Sequence, residues 1–491
     1  MNKLFLSTCI GLTVFTACQD KQKDTQDKPD VLYIMIDDMN DWVSCLGDRH
    51  GVHTPNLDNL ASKGILFSNA HCSAPASAPS RASTITGVSP STSGVYVNQH
   101  DWRESPVLDT VKTIPEYFKD IGYTAKGAGK LFHALCWIQT SYGIDQNDPA
   151  IWDEYYPSKH RSLPETVFPE SAQEDSEGTI TWTPLAAPET ENRPSWFFDY
   201  GALGEDENMA DYKVIDWAIE QLNKDHDQPL FLGVGIYRPH LPWFAPQEYF
   251  DQYPLEEIEL PKVKENDLDD VSEVSLNWVR KNWQDWVVKN DQWKKAVQAY
   301  KASMTFADAM LGRLIDGLKE SGRFDNTIIV LTSDHGMHLG EKEHWEKFTL
   351  WERSTRVPLI FVAPNIEENA VSNEPASLLD IFPTLVDLTN QESFDQLEGQ
   401  LEGESLLPLL MDPESTREKP AITTWQYGNH AIRDNRWRYI HYNNGDEELY
   451  DHRNDPNEFN NLAKDPDYRH IMDSLKKWLP EKNAEPLPDS Y

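Results

Sequence analysis

Basic residues are scarce in this chain: 44 Lys and Arg stand against 81 Asp and Glu, a formal net charge of −37 over 491 residues. That deficit excludes nucleic acid as a partner, because phosphate binding rests on clustered Lys and Arg. It would also repel a polyanionic substrate at long range, unless the site is locally basic or salt screens the field. Cysteine is the second shortage, with five in all. Cys9 and Cys18 fall in the N-terminal segment, and Cys45, Cys72 and Cys136 form an odd, scattered set. They show neither a metal-binding spacing nor a disulfide framework; one bridge is allowed and none is demanded. Long apolar runs are missing as well. The nearest approach, LFLSTCIGLTVF after Lys3, is too short and too close to the start to span a bilayer. What is present is core-forming material: 39% hydrophobic residues, 11% aromatics and 17 Trp. The length suits one large domain with a smaller one beside it.

The N-terminal run reads as a processing segment, with Lys3 as its positive end and an apolar middle. Residues 1–17 are expected to be a signal peptide. Phe15-Thr16-Ala17-Cys18 resembles a relaxed bacterial lipobox, which would place a lipid on Cys18. The polar stretch 18–28 then serves as a tether. A plain signal peptide cut near Ala17 is the alternative. The lipobox implies a protein of the bacterial periplasm or outer-membrane surface, held to the membrane only through its lipid.

Four β-branched runs, VLYIMI (31–36), PLFLGVGI (229–236), TIIVLTS (327–333) and VPLIFVAP (357–364), read as buried parallel strands. Helices fall between them. TPNLDNLASKG has Thr54 as cap, Pro55 in the first turn and Gly64 as the stop, and TIPEYFKDIGY repeats that grammar. Residues 293–322 form a long amphipathic helix. Strands alternating with helices predict an α/β domain over 29–390, with a large, mainly parallel sheet sandwiched by helices. Its ligands are expected beyond the carboxyl ends of the strands. Residues 139–210, rich in Pro, Ser and acids, read as a long surface insertion that walls the cleft. Residues 391–491 read as a smaller C-terminal subdomain. It has short alternating strands, an Asn444-Gly445 turn and a helix around 466–479.

Two carboxylates, Asp37-Asp38, follow directly on VLYIMI, and Asp334-His335 follow TIIVLTS in the same way. Alone, Asp37-Asp38 reads first as a turn or helix cap, and Asp334-His335 is ambiguous. Delivered to one edge of one sheet, they make a site for a hard divalent cation. Between them lies SAPASAPSR (73–81), in which Ser-Ala-Pro occurs twice. Only the second copy runs on into Ser80-Arg81. Pro79 suits a first helical turn, so Ser77 should stand just before a helix N-terminus, where free N–H groups favour an anion. A nucleophile there, beside a cation, suits attack on a sulfate or phosphate ester.

Ser77-Ala78-Pro79-Ser80-Arg81 with Thr86-Gly87 resembles the signature of the sulfatase family. The likeness extends from VLYIMIDDMN to ELYDHRNDPNEFNNLA and includes GKLFH (129–133) and Arg238-Pro239-His240-Leu241-Pro242. Lys130 and His133 are spaced Lys-x-x-His where many members have Lys-x-His, and Ser77 stands where other members have Cys. The resemblance implies an alkaline-phosphatase-like fold and a sulfuric ester hydrolase. Ser77 would be oxidised to formylglycine, whose hydrate supplies the attacking hydroxyl. Asp37, Asp38, Asp334 and His335, with the modified Ser77, would hold one divalent ion, expected to be Ca²⁺. Arg81 would help ionise the hydroxyl, Lys130 would hold the formylglycine oxygen and the sulfate, and Lys347 would hold the sulfate. His240 would protonate the leaving group, and His133 would remove the second hydroxyl proton. His100, Trp102, Arg103 and His430 are candidate substrate contacts. A Ser precursor implies an anaerobic-type maturing enzyme as a partner. The expected substrate is a sulfated oligo- or polysaccharide, such as algal ulvan or carrageenan or a host glycosaminoglycan. The alternatives are a phosphatase or phosphodiesterase of the same superfamily using unmodified Ser77, and an inactive glycan-binding lipoprotein.

Overall fold

The computed structural model describes residues 28–47, 50–134, 145–174, 180–191, 193–195, 197–389, 397 and 399–491. The expected signal peptide, Cys18 and Cys136 lie outside the described residues. Among the described residues no helix is long and apolar enough to cross a membrane.

One eight-stranded sheet organises the chain. Its strands are β1 (Asp30–Ile36), β2 (Ile65–His71), β3 (Thr124–Gly129), β4 (Glu154–Tyr156), β5 (Leu230–Ile236), β6 (Thr327–Ser333), β7 (Leu359–Val362) and β8 (Ala370–Ser377). Their order across the sheet is β8-β2-β7-β6-β1-β5-β3-β4. Pairing is parallel throughout except at β7, which runs against both β6 and β2. The apolar run VPLIFVAP is therefore a strand as expected, but antiparallel. Residues 334–358 stay at the carboxyl edge of β6, so the chain re-enters the sheet from that edge.

Period-two alternation sends the side chains of β1 to two separate cores. Leu32, Ile34 and Ile36 face one layer, which contains α1 (Pro55–Ala61), α4 (Ala210–Leu222) and α5 (Trp293–Glu320). Val31, Tyr33 and Met35 face the other, with α2 (Ser77–Thr86), α3 (Ile114–Asp120) and α6 (Ile381–Leu388). Every residue of β1, β5 and β6 is buried, as a sheet covered on both faces requires. Helix α3 has the full capping box, Thr113 with Glu116. Thr54, expected to cap α1, makes no side-chain cap bond.

The 139–210 segment is more than a surface insertion, because Glu154–Tyr156 adds β4 to the edge of the main sheet. The C-terminal part forms a four-stranded antiparallel sheet, β9 (Ala421–Thr424), β10 (His430–Arg433), β11 (Trp437–His441) and β12 (Glu447–Asp451), followed by α7 (Arg469–Leu475). Asn444-Gly445 lies within the 442–446 connection from β11 to β12, with Gly445 at φ 91°.

Candidate active site

The carboxyl ends of β1, β3, β5 and β6 meet over the N-terminus of α2. β1 delivers Asp37 and Asp38, and β6 delivers Asp334 and His335. Adjacent side chains on a strand point to opposite faces, so the chain must leave the strand for both Asp37 and Asp38 to face one site. It does so at Asp38, which sits at φ 58°, a region that Asp tolerates better than most residues. Two bonds hold that turn: Asp38 N–H donates to Asp334 Oδ1 at 3.1 Å, and Tyr300 Oη–H donates to Asp38 O at 2.8 Å.

Ser77 is the first residue of α2 and not the residue before it, since Ala76 is the extended N-cap. Its Oγ lies 3.1 Å from His335 Nε2 and 3.5 Å from Asp37 Oδ1. The Ala78 N–H at this helix end donates to Asn98 Oδ1 at 3.0 Å. One turn on, Arg81 bridges two carboxylates, with Nε on Asp334 Oδ2 and Nη2 on Asp37 Oδ1, both at 3.0 Å. Its other nitrogen donates to the Lys130 carbonyl. The Lys130 ammonium is 2.5 Å from Asp37 Oδ2, and that of Lys347 is 2.5 Å from Asp38 Oδ1. Lys130 reaches this place because the backbone after β3 crosses Gly235 closely: a Cβ there would lie 2.2 Å from the Lys130 carbonyl carbon. His240 turns Nε2 inward, 3.9 Å from Asp38 Oδ2, while its Nδ1 meets Leu241 O at 2.6 Å and Tyr237 Oη at 2.7 Å.

Three carboxylates thus face three side-chain cations in a buried space, which leaves the cluster near neutral. Burial pushes the Asp38 carboxyl up to about 6, with Lys347 opposing it and Asp37 adding to it. Burial acts the same way on Asp334, but Arg81 and His335 overcome it and hold that carboxyl well below its ordinary range. Lys130 is lowered by burial in spite of Asp37. Burial also works against the Lys347 ammonium, yet Asp38, Asp37 and Asp334 together hold its pKa above the ordinary value. His133 and His240 are driven well below the ordinary imidazole value by burial and by the ammonium groups of Lys130 and Lys347. Both are therefore neutral and able to take a proton.

The donor set fits a hard divalent cation. Ligand atoms of Asp37, Asp38, Asp334 and His335 all lie within 4.8 Å of one another. His335 Nδ1 faces the Gly336 carbonyl at 3.1 Å and must donate to it, so in the neutral ring that a metal needs, Nε2 carries the lone pair. That lone pair points at Asp334 Oδ2 (3.2 Å) and Asp38 Oδ1 (3.5 Å). Such an array is repulsive unless a proton or a cation lies within it.

The four candidate substrate contacts are placed differently. Trp102 stacks on Phe132 at 5.4 Å and donates its indole N–H to Gln146 O. Arg103 closes its fork on the adjacent Asp101. The imidazole of His100 accepts the Tyr96 N–H at 3.0 Å. His430 belongs to β10, its Nδ1 on Thr424 Oγ1 at 3.0 Å, and burial lowers it to about 4. Among the described residues no hydrogen bond or ion pair joins any of these four to the carboxylates, Ser77 or Lys130. Each makes at least one hydrogen bond elsewhere in the protein.

Several residues of the site carry no signal in the sequence pattern. Tyr237 places its ring 5.0 Å from the Lys130 ammonium, and Asp211 accepts the backbone N–H groups of both Tyr237 and Arg238. Tyr300 lies on the buried face of α5, where an aromatic residue reads as core. Tyr237 alone could have been marked, since it adjoins Arg238-Pro239-His240.

The Sulfatase family model matches residues 29–391, and a model described as N-sulphoglucosamine sulphohydrolase, C-terminal, matches residues 340–485. A protein named Sulfatase from Formosa agariphila is 35% identical to this chain, over 97% of it and 91% of its own length. Iduronate 2-sulfatase of Homo sapiens is 32% identical, over 72% of this chain and 64% of its own length. The crystal structure of a phosphonate monoester hydrolase of Agrobacterium radiobacter superposes with a TM-score of 0.71 at 23% identity, covering 91% of this chain and 94% of that one. At that identity the likeness shows the fold alone.

Proposed function

Because the chain belongs to the sulfatase family, we propose that it releases sulfate from a sulfated carbohydrate, using Ser77 converted to formylglycine and a Ca²⁺ ion held by Asp37, Asp38, Asp334 and His335. Sulfatases generally use formylglycine and a divalent metal. The observation that carries the reading is the placement of Ser77 Oγ 3.1 Å from His335 Nε2, at the head of α2 and beside the carboxylate cluster. When bound, the cation supplies Lewis acidity and a fixed point for the ester oxygens.

The chain's own residues do the rest. Arg81, fixed by two carboxylates, cannot swing away, so it holds positive charge beside the residue-77 side chain. Lys130 and Lys347 stand on the two Asp carboxylates of β1, placed to share their N–H donors with an anionic ester. His240 points a bare Nε2 into the site with Nδ1 held by Tyr237 and Leu241, so a proton that it passes to a departing sugar oxygen must first be taken up at Nε2. His133, neutral and buried, is the base for a proton on the residue-77 side chain. The near-neutral cluster, given two further positive charges, favours a singly charged ester over a neutral one. A carbohydrate is favoured because iduronate 2-sulfatase, by its name, acts on a sulfated sugar acid. An external polysaccharide such as ulvan or carrageenan fits the acidic, lipobox-bearing chain.

The test pairs two measurements: the mass of the Ser77 peptide and sulfate release from a panel of sulfated oligosaccharides in the presence of Ca²⁺. Formylglycine makes the peptide lighter by two hydrogens. Turnover of phosphate esters by protein with unmodified Ser77, without sulfate release, would overturn the reading in favour of a phosphatase. Maturation is assigned to an anaerobic-type enzyme, since the precursor is Ser. Ser77→Cys in a host that converts Cys should therefore recover activity. Cys18 is assigned a lipid, so Cys18→Ala should move the protein from the membrane fraction to the soluble one with catalysis intact. A soluble wild-type protein would refute that assignment.

A further inference from the structure

Segment 484–491 lies along residues 91–99. Ala484 N–H donates to Ser91 O, Leu487 N–H to Gly94 O and Ser490 N–H to Gln99 O, at 2.7, 3.1 and 2.8 Å. Tyr96 Oη–H donates back to Ala484 O at 2.8 Å. The fit is close: a Cβ at Gly94 would lie 2.6 Å from Glu485 O. Leu487 packs against the core beneath α2. The Tyr491 ring is 52% exposed, with its hydroxyl turned toward His133.

Among the described residues that hydroxyl has two hydrogen-bonding neighbours. It is 2.8 Å from the Asn98 backbone carbonyl and 3.3 Å from His133 Nε2. A carbonyl only accepts, and Asn98 O is the nearer of the two partners, which places the phenol proton on it. Burial and Asp489 raise the Tyr491 pKa, so the proton is present at neutral pH. The oxygen then offers a lone pair to His133, and Nε2 must be the nitrogen that carries hydrogen. His133 Nδ1 is buried and, among the described residues, has no hydrogen-bond partner. Asn98 also accepts the Ala78 N–H through Oδ1, so one residue sets both the clamp on Tyr491 and the head of α2.

We propose that Tyr491 is a positioning residue of this active site: clamped on Asn98, it fixes His133 as the Nε2–H tautomer and leaves Nδ1 as the proton acceptor. The use made of Nδ1 rests on the sulfatase reading; the tautomer itself does not. Nothing in the Ser77 signature or the GKLFH stretch points to a residue so far along the chain.

The first test needs no turnover. Protein made without the maturing system, with isotope-labelled histidine, is examined by ring-nitrogen NMR, and His133 is assigned by its loss in His133→Gln. Wild type should show a protonated Nε2 and a bare Nδ1. Tyr491→Phe, which keeps the ring and removes the hydroxyl, should give a mixture of tautomers. A protonated Nδ1 in wild type, or an identical His133 in the variant, overturns the proposal. In matured enzyme, Tyr491→Phe should lower kcat about tenfold, as loss of a partner behind a reacting group does, with KM nearly unchanged. The same change in a His133→Ala background should cost nothing further. An unaltered kcat, or equal losses in both backgrounds, also sinks the proposal. If wild type releases no sulfate, the sulfatase reading fails and the NMR result still decides the tautomer.

Discussion

Ser73 and Ser77 open the same tripeptide, and their surroundings separate them. The hydroxyl of Ser73 is buried without a partner among the described residues, and its carbonyl accepts the Thr424 N–H at 2.8 Å. It ties the C-terminal sheet to the loop, and among the described residues no hydrogen bond joins it to a group of the site. Under matched maturation Ser77→Ala should cost on the order of 10⁴-fold or more in kcat/KM. Ser73→Ala should leave it nearly unchanged, and sulfate release by both variants decides the matter. Chelation should likewise abolish turnover, with Ca²⁺ restoring it. Asp334→Asn should be folded and inactive, because Asp334 orients the Asp38 turn as well as the cation. Full turnover in chelated, metal-free protein would contradict both expectations. Asp37, Asp38, Asp334 and His335 were legible because each pair abuts an apolar run whose end fixes its position. Tyr237, Tyr300, Asn98 and Tyr491 were not, because their local sequence is ordinary and only the fold brings them in. For Trp102, Arg103, His100 and His430 the sequence shows only polar and aromatic loop residues, and nothing local reveals the hydrogen bonds that each makes within the protein.

At the scale of elements, the close crossing of β5 by the segment after β3 is the most exposed to substitution. Gly235→Ala would place a methyl group 2.2 Å from Lys130 C and 2.5 Å from Lys130 N. The backbone must yield, at about 1–3 kcal/mol for overpacking, and Lys130 moves off Asp37. The expected result is a lower urea midpoint together with a fall in kcat; a stable variant of normal activity would show that the crossing is softer than the geometry implies. The four apolar strands were legible as elements because both faces are buried and the runs are continuous. The direction of β7 was not, because an apolar run buried on both faces reads the same in either sense. Its direction is set by residues 334–358, which remain at the carboxyl edge to carry Lys347 and so force a return against β6. Three-residue β4 lies below the length at which periodicity can register at all.

For the whole molecule, the joint between the C-terminal sheet and the catalytic half is ionic and buried. Glu352 receives Arg433 Nε at 3.2 Å and a shorter contact from Arg438, whose Nε meets Glu458 Oε1 at 2.8 Å; His452 Nε2 lies 3.0 Å from Glu458. Burial would raise the Glu352 carboxyl, but His452, Arg433 and Arg438 hold it well below its ordinary range. A depressed folded value means that this stabilisation is complete above the unfolded glutamate pKa, about 4.3, and disappears as pH falls through the folded value. Glu352→Gln leaves two buried arginines short of a partner, which typically costs about 3–5 kcal/mol. Urea melts across the acid range should show that loss at neutral pH and a shallower acid decline than wild type. An unchanged acid limb would remove Glu352 as its cause. The charge deficit and the two-part layout were plain from composition; this joint was not, because its members lie scattered over more than a hundred positions.

Ser77 has no solvent-exposed surface in the folded chain, and that turns its oxidation into a matter of timing. An enzyme that must grip a side chain and its flanking residues has no purchase on one sealed beneath a sheet edge. If formylglycine is made here, it is made before α2 is covered, in a contest between the modifying enzyme and the folding clock. A chain that folds first is lost to activity for as long as it stays folded. Folded, unmodified protein mixed with the maturing enzyme should therefore remain unmodified, while a peptide spanning Ala70 to Pro90 should be oxidised. Conversion of the folded protein at a comparable rate would mean that this end of α2 opens far more readily than its burial indicates.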